Sequence, residues 1–161
     1  MNNERLIELQ NMIYSQNKEL GWHDEPRSFN TYVCLFHSEL SEAMEGDRKG
    51  LMDDHLPQYT MCAVEIADFV IRVLDWFGTK DEINCFVSYE YADWTDSHLI
   101  NIDFIADMHS VVSNTYESQS SESFLVDTMK LLSLAVEMAF EMAKIGVSNN
   151  SWRMIIEYPT Q

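Results

Sequence analysis

Residues 61–77, MCAVEIADFVIRVLDWF, constrain this chain more than any other stretch. The run is apolar almost all the way round. Its only charged residues are Glu65, Asp68, Arg72 and Asp75, at i, i+3, i+7 and i+10. On a helix that spacing makes one narrow charged stripe on an otherwise apolar rod, the reverse of an ordinary surface helix. Such a helix is mostly buried, and its stripe must face something that compensates charge. A carboxylate withdrawn from water without a partner protonates instead. Three compensators fit: Arg72 itself, solvent in a cleft, or a divalent cation.

The rest of the chain narrows the setting. Its 161 residues, 46% of them hydrophobic, suit one domain with a sizeable core. The formal net charge of −17 opposes attraction to a phosphate backbone, so no nucleic-acid partner is expected. A phosphorylated small molecule stays open, because a bound cation can reverse the local sign. Cys34, Cys62 and Cys85 are widely spaced and odd in number, which reads as buried free thiols in a reducing compartment. There is no basic-then-apolar leader and no uncharged run of transmembrane length, so a cytoplasmic protein without a membrane partner is the expectation.

Five glycines, three prolines and little period-two alternation favour an all-α chain. A first helix is expected over 4–20, with Leu6, Leu9, Ile13 and Leu20 on one face and Gly21 ending it. Residues 22–27, WHDEPR, read as a loop, and Ser28 as the N-cap of a second helix over 29–45 that Gly46 ends. A polar loop leads to the helix over 61–77, which Gly78 closes. Thr79, Asp81 and Glu82 start a fourth helix to about residue 91. Longer helical stretches follow near 99–117 and 122–145, then a short turn at SWRMII. No domain linker is evident.

Two segment pairs recur at one offset. FHSELSEAME (36–45) matches MHSVVSNTYE (108–117), and AVEIAD (63–68) matches AVEMAF (135–140), both 72 residues apart without a gap. This reads as a duplicated helix pair. The second copy has lost acids: Val111, Asn114 and Phe140 stand where the first has Glu39, Glu42 and Asp68. Residues 1–80 would then be the charged half and 81–161 the degenerate half. Accidental similarity between two apolar helices is the alternative.

Glu39-x-x-Glu42 lies on one helix and Glu65-x-x-Asp68 on the next, each pair sharing a face. Folded antiparallel, the two helices could aim four carboxylates at one spot. Hard oxygen donors without cysteine or paired histidines suit Mg²⁺ or Mn²⁺ rather than zinc. A solvated acidic face is the competing reading of either pair alone. Glu45 continues the row but is rotated from Glu42. His37 lies one turn before the acids, and Asp53, Asp54 and His55 carry capping chemistry in the loop. Carboxylate-bridged di-iron bundles need Glu-x-x-His, which does not occur. His-Asp phosphohydrolases need a histidine upstream of a His-Asp dipeptide, and His23 of His23-Asp24 is the first histidine in the chain.

HSELSEAMEGDRKGLMDDHLP followed by VEIADFVIRVLD resembles the all-α nucleoside triphosphate pyrophosphohydrolases, the MazG and dimeric dUTPase superfamily. It is especially similar to a MazG-like branch of bacteria and phages with HSELSEA, RK, DDHLP and a V-E-L-A-D-x-x-I-R-x-x-D helix. The resemblance covers residues 20–78. It implies a MazG-like helical bundle whose metal ligands are Glu39, Glu42, Glu65 and Asp68. The implied reaction is Mg²⁺-dependent hydrolysis of a (deoxy)nucleoside triphosphate to monophosphate and pyrophosphate, with Mn²⁺ as alternative and a mild preference for a purine such as dGTP. Glu39 and Glu42 are the implied catalytic carboxylates. Many relatives place lysine, asparagine and arginine on the next helix to hold phosphate. Here that stretch, EINCFVSYEYADW, has no basic residue. Arg48, Lys49, Arg72 and Lys80 are the candidates for phosphate contact, and Trp22 could stack on a base. Arg72 could equally pair with Asp68 and Asp75 on its own helix. A homodimer or a one-chain pseudo-dimer is expected. The missing basic helix also leaves open a non-catalytic nucleotide-binding or protein-interaction module.

Overall fold

A computed structural model describes residues 3–80 and 102–124, together with Asp127, Thr128, Lys130, Leu131, Ala135 and Met138. Four α-helices, α1 (Asn3–Glu19), α2 (Phe29–Lys49), α3 (Met61–Gly78) and α4 (Ile102–Glu117), and a 3₁₀ turn at Ser118–Ser120 make up the described elements. The described chain is all-α; its one isolated β-bridge, Met52 to Thr60, closes the α2–α3 loop. The expected helix over 79–91, the terminal turn at SWRMII, Cys85 and much of 122–145 lie outside the described residues. Described positions from 127 to 138 are helical.

α3 is the centre. Fourteen of its residues are buried, including Glu65 and Asp75 from the charged stripe. It packs against α2 on one side and α1 on the other, and α2 in turn meets α4. Phe36 of α2 lies edge-on to Phe69 and Trp76 of α3, with centroids 6.1 and 6.2 Å apart. Phe29 bridges Trp76 and Phe124. Full burial of such side chains contributes about 2–3 kcal/mol each, so this aromatic layer fixes how α2 lies on α3.

Local chemistry sets the helix ends. Ser28 Oγ accepts from Thr31 N at 3.2 Å and Thr60 Oγ1 from Ala63 N at 3.3 Å, capping α2 and α3. Gly21, at φ 82°, takes the left-handed position after α1. Leu20, expected on the core face, is 51% exposed, because the chain leaves the helix one residue early to make that turn.

Gly46 does not end α2. The helix runs one turn further to Lys49, and Gly50 at φ 62° is the cap. Gly46 serves a close approach instead: a Cβ there would stand 2.8 Å from Cys62 N and 2.9 Å from Met61 Cβ. The absent side chain lets the start of α3 touch α2 and so sets where Glu65 falls opposite Glu39. Cys62 is buried as expected, but Cys34 is exposed, since it lies on the face of α2 turned away from Val33 and Phe36.

Positions 72 apart share burial. Val33, Phe36, Leu40 and Ala43 of α2 are buried, and so are Ile105, Met108, Val112 and Thr115 of α4. Leu56, Ala63 and Ile66 are buried, as are Thr128, Ala135 and Met138. Ser41 Oγ donates to the His37 carbonyl at 2.7 Å, and Ser113 Oγ to the His109 carbonyl at 2.9 Å.

Candidate metal centre

α2 brings Glu39 and Glu42 to the face that meets α3, and the first turns of α3 supply Glu65. One oxygen from each of these three carboxylates lies within 4.8 Å of the others. An octahedral cation with Mg–O bonds of about 2.1 Å spans about 4.2 Å between opposite oxygens, so a slight contraction closes the set. Glu39 and Glu65 are each 5% exposed, whereas Glu42 faces solvent. The centre is thus walled on two sides and open on the third.

Asp68 is not a member of that triplet. It stands half-buried one turn along, close enough to feel the same charges. Burial, followed by the charge of Glu39, pushes its carboxyl up to about 7. Glu65 is pushed up to about 8, first by burial and then by Asp68, Glu42, Glu39 and Asp53. Glu39 is also raised by burial, with the Arg72 guanidinium pulling the other way. Carboxyls raised in this way by burial and by one another mark a candidate functional site.

Glu65 Oε2 carries a sharper signal. It is one of four buried side-chain polar atoms without a hydrogen-bond partner among the described residues, and the only carboxylate among them. An unmet buried carboxylate oxygen is costly unless something else satisfies it. The all-oxygen donor set around it fits a hard divalent cation.

The other sequence candidates divide. Arg72 pairs with neither Asp68 nor Asp75: its Nε donates to Glu39 Oε1 across the helix interface at 3.0 Å. Its guanidinium also lies 4.4 Å from the centroid of the Trp22 ring. Trp22 therefore stands beside the residue that pairs with Glu39, and this ring contact is with a cation, at a distance giving cation–π attraction. Arg48 and Lys49 are exposed in the last turn of α2, about 9 Å of helix rise beyond Glu42. Lys49 pairs with Glu45 on its own helix. Lys80 is exposed, 5.6 Å above the Trp76 ring.

Sequence reasoning missed the contacts of Arg27 and His23 and only raised Asp53 as a loop candidate. Arg27 sits 5.5 Å from the Trp22 centroid, and its charge acts on the Tyr32 hydroxyl. Asp53 is buried, and its Oδ1 accepts from the amides of His55 at 2.9 Å and Leu56 at 2.6 Å. It was legible as capping chemistry, but not as a fifth acid whose charge reaches Glu65 and Asp68. His23 Nε2 bonds Asp75 Oδ1 at 2.9 Å, clasping the WHDEPR loop onto the far end of the stripe.

No protein-family model matches the chain, and no curated protein or solved structure matches it at a significant level. No helix among the described residues is long and apolar enough to cross a membrane.

Proposed function

We propose that the chain hydrolyses a (deoxy)nucleoside triphosphate to the monophosphate and pyrophosphate at the Glu39–Glu42–Glu65 centre, with Mg²⁺ or Mn²⁺ as cofactor. Two observations carry this reading: one oxygen from each of Glu39, Glu42 and Glu65 lies within 4.8 Å of the others, and Glu65 Oε2 is buried without a hydrogen-bond partner. The motif resemblance of residues 20–78 to MazG-like pyrophosphohydrolases supplies the reaction and the mild purine preference.

Glu39, Glu42 and Glu65 would hold the cation, with Asp68 as the fourth carboxylate one turn away. A bound Mg²⁺ or Mn²⁺ supplies Lewis acidity toward phosphate oxygens and lowers the pKa of water. Glu42, on the open side, faces the direction from which a triphosphate arrives. Glu39 has one oxygen tied to Arg72, and its carboxylate orients the water that attacks the α-phosphorus. Trp22 with Arg72 and Arg27 forms a cationic edge beside an acidic centre, which supplies phosphate contacts that residues 82–94 lack.

The shared burial at positions 72 apart supports reading α4 and the helical residues after it as a degenerate copy of α2 and α3. In that reading the second half walls the site instead of duplicating it, and the chain is a one-chain pseudo-dimer.

Pyrophosphate release from a panel of ribo- and deoxyribonucleoside triphosphates, with Mg²⁺ and with Mn²⁺, tests the proposal. Turnover that disappears in Glu42→Ala supports it. Binding without turnover across the panel would favour a non-catalytic nucleotide-binding module, a reading that the self-satisfied Glu39–Arg72 pair keeps open.

A further inference from the structure

Arg72 holds two partners at once. Its Nε gives one hydrogen bond to Glu39 Oε1 at 3.0 Å, and its plane rests 4.4 Å from the Trp22 centroid. Glu39 belongs to the triplet with Glu42 and Glu65, and one Glu65 oxygen is buried without a hydrogen-bond partner. Resting on the metal reading above, we propose that Arg72 is a displaceable internal counterion. It neutralises Glu39 while the centre holds no cation, yields Glu39 when a divalent cation enters, and stays on Trp22 to grip the anion the cation brings.

Each step has a physical reason. A guanidinium cannot shed its proton, so it cannot escape an entering dication by neutralising; it has to move. Two like charges sharing one carboxylate repel strongly at a half-buried site. Trp22 makes the move short, because cation–π attraction is not tied to one hydrogen-bond direction and holds the guanidinium as it slides. Of its five N–H groups only Nε is given to Glu39, and the planar fork of the others is suited to phosphate oxygens. Both partners also keep Arg72 close: it is on α3, one turn past Asp68, so the released guanidinium remains beside the centre.

Two affinities separate this role from a structural one, because they move in opposite directions. Mn²⁺ binding alone, followed by titration calorimetry at pH 8, should tighten at least about fivefold in Arg72→Met, since a repelling charge is gone. Inorganic tripolyphosphate, added as its Mn²⁺ complex to Mn²⁺-saturated protein, should weaken about tenfold or more in the same variant. Unchanged or weaker Mn²⁺ binding in Arg72→Met, with the wild type binding normally, overturns the counterion role and leaves the metal centre standing. Absence of Mn²⁺ binding in the wild type overturns both. The wild-type chain provides a test that does not depend on folding of the variant. The Arg72 Nε–H resonance, assigned in the wild type through its side-chain correlations to the Arg72 backbone, should shift on Mg²⁺ saturation. A resonance that stays put overturns the displacement.

Discussion

His37 of α2 and His109 of α4 face each other Nδ1 to Nδ1 at 2.8 Å, their rings stacked with an interplanar angle of 11°. They are 72 residues apart, the same offset that aligns HSELSEAME with HSVVSNTYE. In the duplication proposed above these would be equivalent positions, and a two-fold relation between copies brings equivalent residues together on its axis. The contact also has a chemical requirement. One Nδ1–H donates and the other nitrogen accepts, so the pair needs at least one neutral ring.

That requirement predicts a pH effect. Burial lowers the pKa of both rings, and His37 lowers that of His109 further. The unfolded chain therefore takes up protons first as pH falls. Stability from this pair is complete above the unfolded value of about 6.5 and is lost as pH drops below it. In His109→Phe, which keeps the stacking but cannot titrate, the loss of Tm between pH 7.5 and 5.5 should shrink. Equal slopes in both proteins would show that the pair does not carry this linkage.

Gly46 and Gly50 make a matched comparison. Alanine at 46 must push back the Cys62 amide and Met61, whereas alanine at 50 meets nothing within 4 Å and bears only the left-handed φ of 62°. Gly46→Ala should cost about 1–3 kcal/mol in urea unfolding, from overpacking at the α2–α3 contact. Gly50→Ala should cost about 1 kcal/mol. Because Gly46 sets the spacing of Glu42 and Glu65, Mn²⁺ affinity should fall in Gly46→Ala and hold in Gly50→Ala. Titration of Mn²⁺ into both proteins checks this.

The same glycine marks where the sequence ceased to be legible. A glycine near the end of an amphipathic run signals either a left-handed cap or a close approach, and only the position of Met61 distinguishes them. The charged stripe on α3 was legible, because spacing along one helix is fixed by geometry, and so was the approach of Glu65 to the α2 acids, but not the place of Asp68 outside that triplet. Which acid Arg72 chooses was not. Its neighbours at i−4 and i+3 were both available, and the interface offered Glu39, a partner that no local spacing reveals. Cys34 was legible in principle, since its phase between Val33 and Phe36 places it outward. His23–Asp75 needed the loop path around Gly21, which is tertiary information.

That clasp has its own consequence. Asp75 is 1% exposed and its Oδ1 depends on His23 Nε2. Removing one partner of a buried hydrogen bond leaves the other polar group unsatisfied, which costs about 1–3 kcal/mol. His23→Ala should approach the lower end of that range in chemical denaturation. Asp75→Asn should cost less, because the amide carbonyl still accepts from His23. A double-mutant cycle over the two sites should return a coupling of about 1 kcal/mol or more; additive losses would mean the contact contributes nothing of its own.

Glu65→Gln sets stability against function. In the metal-free chain the Glu65 carboxyl is raised to about 8. A raised carboxyl binds its proton in the folded state after the unfolded state has released it, so stability falls as pH climbs from about 4.5 through 8. The amide of glutamine keeps the shape and cannot ionise. Glu65→Gln should therefore stabilise the metal-free protein by about 1–3 kcal/mol at pH 8.5, a gain of roughly 3–8 °C in Tm, and by little at pH 5. The same variant removes an anionic oxygen from the triplet, so the rise in Tm that saturating Mn²⁺ gives the wild type should be largely lost. Melting curves at pH 5 and 8.5, with and without Mn²⁺, read both effects. A carboxylate kept only for packing would give a variant no more stable at pH 8.5 than at pH 5. It would also leave the Mn²⁺ response intact.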